Sequence, residues 1–128
     1  MVTIKRNKDF IMRYLNALCG VPKTRELCEK FMTDESLVQH ILFFESVFPR
    51  YDMFVDEVTA EGNRVILRCR MKGKHEGVMN GIPPTNKEIT FPFVIGYEIE
   101  NEMIVSHWLI ADQMLMMEQL GLANQPAS

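Results

Sequence analysis

The sequence predicts an α+β fold: helices first, then a curved antiparallel sheet, then a short closing helix. Three observations carry this expectation. Between residues 9 and 48, apolar side chains recur at three- and four-residue intervals, the helical period. From Val65 onward, apolar and polar residues alternate, the period of strands with one dry and one wet face. A helical run followed by long strands joined by short turns places the helices on one face of the sheet.

A chain of 128 residues suits one domain spanning 1–128, which would bury about two-thirds of its unfolded surface. Hydrophobic residues make up 47% of it and charged residues 24%, the balance of a globular protein rather than a disordered one. The formal net charge is −3. The basic residues form no stripe interleaved with aromatics, so nucleic acid is not an expected partner. No apolar run approaches the ~20 residues a membrane span requires. The polar stretch Met1–Asp9 leads into nothing of signal-peptide type, and the expected compartment is the cytoplasm. Cys19, Cys28 and Cys69 are odd in number and form no CxxC pair, which predicts free, core-filling thiols and no metal site.

The first helix is expected over Asp9–Leu18, carrying Phe10, Tyr14, Leu15 and Leu18, and is broken by Gly20 and Pro22. A second short helix should run over Thr24–Met32. Thr33 or Asp34 can cap a third, because a short side-chain oxygen accepts from the free N–H groups there. Leu37, Ile41, Phe44 and Phe48 stripe that helix, and Pro49 ends it. Strands follow at Tyr51–Ala60 and from Val65, where Val65, Leu67, Cys69 and Met71 share the dry face and Gly73 can bend or bulge the chain. Gly81–Asn86 is a proline-fixed loop. Glu88–Glu100 places Ile89, Phe91, Phe93, Ile95, Tyr97 and Ile99 on one face. Asn101 and Glu102 turn the chain into a last strand, Met103–Ala111. Asp112 can cap a final helix stopped at Gly121, before a frayed tail from Ala123.

The second half carries an ordered set of short motifs. Phe48-Pro49 precedes a strand, and Ala60-Glu61-Gly62-Asn63-Arg64-Val65 follows it. Next come Gly73-Lys74-His75-Glu76-Gly77 and Gly81-Ile82-Pro83-Pro84-Thr85, then Ile104-Val105, Trp108 and Asp112, and finally Gln119-Leu120-Gly121. Over roughly Phe48–Gly121 this set resembles the SnoaL-like polyketide cyclases, also called ester cyclases, of the NTF2-like superfamily. The resemblance implies a cone: a bent antiparallel sheet wrapped by helices, with a pocket at its wide end. It implies cofactor-free and metal-free aldol chemistry with an aspartate as general acid/base, and Asp112 is the matching position. It also implies a homodimer packed sheet on sheet. Asn86 stands where the family usually has glycine, and the strand Phe91-Phe93-Ile95-Tyr97 is more apolar than a polyketide site would suggest.

On this reading Trp108, Ile110 and Asp112 share an inward face at the pocket's apolar wall, since strand side chains repeat every second residue. A carboxyl group there would be poorly solvated and suited to proton transfer, and it would also serve as a helix cap. His75, if Gly73 adds no bulge, points inward and joins Asp112 as a catalytic candidate, or else holds the following loop. Tyr97, Phe93, Met71 and Trp108 are the expected ligand contacts. His107 falls on the outer face, and His40 on the surface of its helix or against the sheet. Met114, Met116 and Met117 in the final helix suit an adaptable apolar site or plain packing. Two functions stay open: proton transfer on a small apolar carbonyl compound, giving cyclisation, isomerisation or dehydration, or a non-catalytic ligand-binding or dimeric interaction module on the same fold.

Overall fold

A computed structural model describes residues 2–122. The tail expected from Ala123 lies outside them. Three helices precede the sheet: α1 (Val2–Leu18), α2 (Arg25–Glu29) and α3 (Glu35–Val47). The strands β1 (Asp52–Glu61), β2 (Arg64–Lys74), β3 (Glu88–Glu100) and β4 (Met103–Ala111) form one antiparallel sheet in sequence order, and α4 (Gln113–Gln119) closes the fold.

The helices begin where side chains can take up their free N–H groups. Thr24 Oγ1 accepts from the Leu27 amide, Asp34 Oδ1 from Leu37, and Asp112 Oδ1 from Leu115. Helix α1 starts seven residues before the expected Asp9. Its first two turns are polar and hold an i,i+4 ion pair, Lys5–Asp9 at 3.0 Å, so apolar periodicity alone misses them. From Phe10 onward α1 buries Phe10, Ile11, Tyr14, Leu15 and Leu18, the stripe that meets β1 and β2. In α3, Leu37, Val38 and Ile41 face the core.

The sheet's inner face is built from alternate residues: Val65, Leu67, Cys69 and Met71 on β2, and Ile89, Phe91, Phe93, Ile95, Tyr97 and Ile99 on β3, all buried. The β2–β3 ladder runs without interruption from Arg64↔Glu98 to Lys74↔Glu88, so Gly73 introduces no bulge. Its role is close packing, since a Cβ there would sit 2.9 Å from the Phe48 Cβ. Bulges occur on the outer strands instead. In β1 the partner shifts between Val55↔Cys69 and Glu57↔Arg68, leaving Asp56 extra. In β4 it shifts between Ile99↔Ile104 and Glu98↔Ser106, leaving Val105 extra.

The free edge of β4 is partly covered. Phe31 and Thr33 clip onto Ile104 through Ile104 N–H to Phe31 O (2.8 Å) and Thr33 N–H to Ile104 O (2.9 Å), a short parallel bridge that shields strand groups otherwise left unpaired. At the opposite end of the helical layer, Lys23 is a buried cation. Its Nζ donates to Val21 O (3.1 Å) and Tyr51 O (2.9 Å), lies 3.9 Å from the centre of the Tyr51 ring and 3.6 Å from Glu45. It ties the α1–α2 connection to the start of the sheet.

Two glycines admit close approaches of different rigidity. A Cβ on Gly77 would stand 1.8 Å from the Ser46 carbonyl oxygen, which is backbone; one on Gly96 would meet the Trp108 ring at 2.3 Å. Trp108 is 46% exposed and free to swing away. Gly77→Ala should therefore destabilise by about 2–4 kcal/mol, lowering the melting temperature by roughly 10 °C. Gly96→Ala should cost under about 1.5 kcal/mol while changing Trp108 fluorescence. Thermal unfolding and emission spectra of the two variants check this.

Candidate functional site

The cavity lies between the inner face of the sheet and helices α1 and α3, with a volume of about 50 Å³. Its floor is Met71, Phe91, Phe93, Ile95 and Tyr97 from the two central strands. Tyr14 of α1, Leu37, His40, Ile41 and Phe44 of α3, and Tyr51 and Met53 at the start of the sheet form the roof, and Leu109 and Ala111 of β4 complete the wall. His40, Phe44, Met53, Leu109 and Ala111 are half-buried and mark the side open to solvent.

Polar atoms in this wall are few. Tyr97 is buried and its hydroxyl finds no hydrogen-bond partner among the described residues. A buried phenol without a partner is uncommon, because desolvation of the hydroxyl goes uncompensated. The Tyr14 ring meets Tyr97 edge-on at 5.8 Å. Burial pushes the Tyr97 phenol well above its ordinary range, with Cys69 adding to it and the nearby Tyr14 hydroxyl, which makes no hydrogen bond to it by distance and angle, opposing it, so the group is a neutral O–H donor. Burial does the same for Tyr14 and Tyr51.

His40 is the imidazole of the wall. It packs against Phe44 at 4.6 Å, and burial, followed by the charge of His107, lowers its pKa. The sequence alone predicts it on the helix surface or packed against the sheet. The signal was nonetheless present: Leu37, His40, Ile41 and Phe44 stand at i, i+3, i+4 and i+7, one helical face. Tyr14 likewise lies on the α1 stripe beside Phe10 and Leu18.

Of the expected ligand contacts, Tyr97, Phe93 and Met71 line the cavity. Trp108 does not. It lies on the outer face of the sheet, across from Gly96, with Ile110 beside it at 68% exposure. The extra residue Val105 explains the correction. Ile104 is buried, and the bulge shifts the period, so His107, Leu109 and Ala111 turn inward instead of Trp108 and Ile110.

Asp112 is consequently exposed and caps α4; it follows Ala111 but does not itself line the cavity. His75 does point inward and is fully buried, but it stands outside the cavity wall. Its Nδ1 accepts from the Thr85 amide at 3.2 Å, pinning the proline loop, and it makes no pair with Asp112. His107, expected outside, instead bonds Asp34 across the layer at 2.6 Å, Nδ1–H to Oδ2. Among the described residues no group of three or more His, Cys, Asp or Glu is arranged to hold a metal ion, and the cysteines are free.

The pattern of the SnoaL-like polyketide cyclases matches residues 32–120. The chain belongs to that family. Solved structures agree on the fold. AclR from Streptomyces galilaeus, a proposed hydroxylase, superposes with a TM-score of 0.81 at 19% identity, covering 97% of this chain and 87% of that one. A proposed SnoaL-like polyketide cyclase from Jannaschia sp. CCS1 gives 0.79 at 20% identity, covering 95% and 94%. IdmH from Streptomyces antibioticus, a proposed polyketide cyclase, gives 0.74 at 21% identity, covering 90% and 98%. Comparison with curated proteins finds no match. At these identities the likeness establishes the architecture, not the reaction.

Asp34 yields a stability prediction. Burial would raise its carboxyl, but hydrogen bonds from His107, Ser36 and the Leu37 amide outweigh this and hold it below its ordinary value. A carboxylate lowered on folding contributes stability above its unfolded pKa of about 3.9, lost as pH falls through the folded value. Asp34→Ala should cost about 1–3 kcal/mol at pH 7. The difference from wild type should shrink below about pH 4, as measured by urea unfolding across pH.

Proposed function

We propose that this SnoaL-like protein binds a small apolar carbonyl compound in the cavity, and that Tyr97 holds the carbonyl oxygen. The single observation carrying this is the buried, unpartnered Tyr97 hydroxyl in a wall otherwise almost wholly apolar. A ligand carbonyl supplies the missing acceptor and gains a charge-neutral hydrogen bond away from water. Tyr97→Phe should weaken binding about 10-fold while leaving stability unchanged or raised, because the orphan hydroxyl is removed. Titration calorimetry alongside thermal unfolding reads both.

Proton transfer at the α-carbon of that carbonyl is the chemistry we assign to the site, without a cofactor, and His40 is the base. It lines the cavity and is neutral at pH 7, while Tyr97 stabilises the developing enolate oxygen. Cyclisation, isomerisation and dehydration all begin with this step. Asp112 is the second reading, favoured by its match to the family's acid/base aspartate and by its place directly after the wall residue Ala111. Exchange of the α-hydrogens of cyclohexanone for deuterium in D₂O separates the readings. His40→Gln should slow exchange by about 100-fold or more, with Asp112→Asn close to wild type. The wild-type rate should fall as pH drops below the ordinary histidine range, about 6.5, because the lowered base protonates there. The reverse pattern assigns the step to Asp112. No acceleration by wild type leaves a binding module.

The outer face of the sheet is where we place a second copy of the chain. Trp108 and Ile110 stand exposed on β4, with Ile66 on β2 and Val94 paired opposite Ile110. Adjacent apolar side chains on a sheet surface mark an interaction site, and a two-fold partner would present the same patch. Ile110→Lys should convert the dimer to a monomer in light scattering without loss of ligand binding.

A further inference from the structure

The size and charge of the cavity narrow the ligand beyond the class proposed above, and the following rests on that reading. A cavity known to take benzene measures about 150 Å³, and one water occupies about 30 Å³ of liquid. The space here is about 50 Å³, so a single ring already requires roughly a threefold enlargement, and a fused system far more. Met71, Phe91, Phe93, Ile95 and Tyr97 are buried on the two central strands. Their close-packed side chains have little room to change rotamer. Met53 is half-buried on the edge strand β1, and its unbranched thioether changes rotamer cheaply. Among the described residues the wall contains no Lys, Arg, Asp or Glu. A charged ligand would lose its hydration there with no counter-ion to replace it.

We infer that the physiological ligand is an uncharged carbonyl compound of one ring or smaller, admitted by displacement of Met53, rather than a fused-ring polyketide. The oxygen leads, because Tyr97 lies on the floor and His40 at the open side. A fused tricycle with its ketone in the central ring cannot bring that oxygen to Tyr97 without spreading β2 and β3 from α3.

Methionine-methyl NMR with three probes tests this: cyclohexanone, the carboxylate cyclohexanecarboxylate, and the tricyclic ketone fluorenone. Leu substitutions assign the Met53 and Met71 signals, and exposed Met114 serves as control. Cyclohexanone should shift Met53 and Met71 saturably, with a dissociation constant of roughly millimolar order, and leave Met114 unmoved. The other two probes should bind at least 10-fold more weakly. Fluorenone binding at these methyls as tightly as cyclohexanone overturns the size limit, and cyclohexanecarboxylate doing so overturns the neutrality. Either result leaves the cavity as the binding site. No shift at Met53 or Met71 with any probe removes the cavity reading itself.

Discussion

One extra residue in β4 decides what the sheet presents on each side. Strand side chains repeat every two residues, so a single insertion reverses everything beyond it. Val105 is that insertion. Before it, Ile104 is buried and clipped to the chain at Phe31 and Thr33. After it, His107 meets Asp34 at the head of α3, and Leu109 and Ala111 close the cavity. Trp108 and Ile110 are turned outward to form the apolar surface of the opposite face. Without the bulge the bulky indole would enter the space above β3, where the inner face is already filled by Phe93, Ile95 and Tyr97. The cavity and the outer patch are therefore two results of one local irregularity.

The helical layer is held over this surface at two polar points. Asp34 acts twice, capping α3 with one carboxylate oxygen and taking His107 with the other. Lys23 acts at the far end, where its ammonium replaces water with two carbonyls, a carboxylate and the Tyr51 ring. Burial lowers the Lys23 pKa, and Glu45 opposes that shift. Both points bear on the cavity roof, since α3 carries Leu37, His40, Ile41 and Phe44 and the Lys23 contact holds Tyr51. A buried ion is weak evidence of net stability, but its directional bonds favour a single arrangement. The apolar contacts of a helix on a sheet are less selective about register.

Much of this fold was legible in the sequence. The cap at Asp34, expected there or at Thr33, the cap at Asp112, the turn at Asn101–Glu102 and the whole span of β3 follow from local chemistry, and local chemistry is what a sequence displays. The early start of α1 was not legible, because its polar turns gain support from charge pairs rather than from an apolar stripe. The inward face of β4 was hidden for a deeper reason. A bulge is set by how two strands pair, and nothing in Ile104-Val105-Ser106 announces it. That one omission put Trp108 and Asp112 on the inner face and His107 on the outer one, whereas His107 turns inward to Asp34. His40, expected on the helix surface or against the sheet, lines the cavity, and its place on the stripe with Leu37, Ile41 and Phe44 is visible in the sequence.

The proposed site is accordingly the cavity and not the position of the motif. The family match directs attention to Asp112, whose carboxylate in this structure satisfies the first turn of α4 and faces water. That carboxylate stands outside the cavity wall, of which His40 is part. His40 sits where desolvation favours the neutral form, and Tyr97 sits where a developing oxyanion would find a donor at no reorganisation cost. A pair of groups whose surroundings hold one as an acceptor and the other as a donor is what proton abstraction beside a carbonyl requires. On the proposed reading, His40 of α3 and Tyr97 of β3 supply that pairing across a mostly apolar wall.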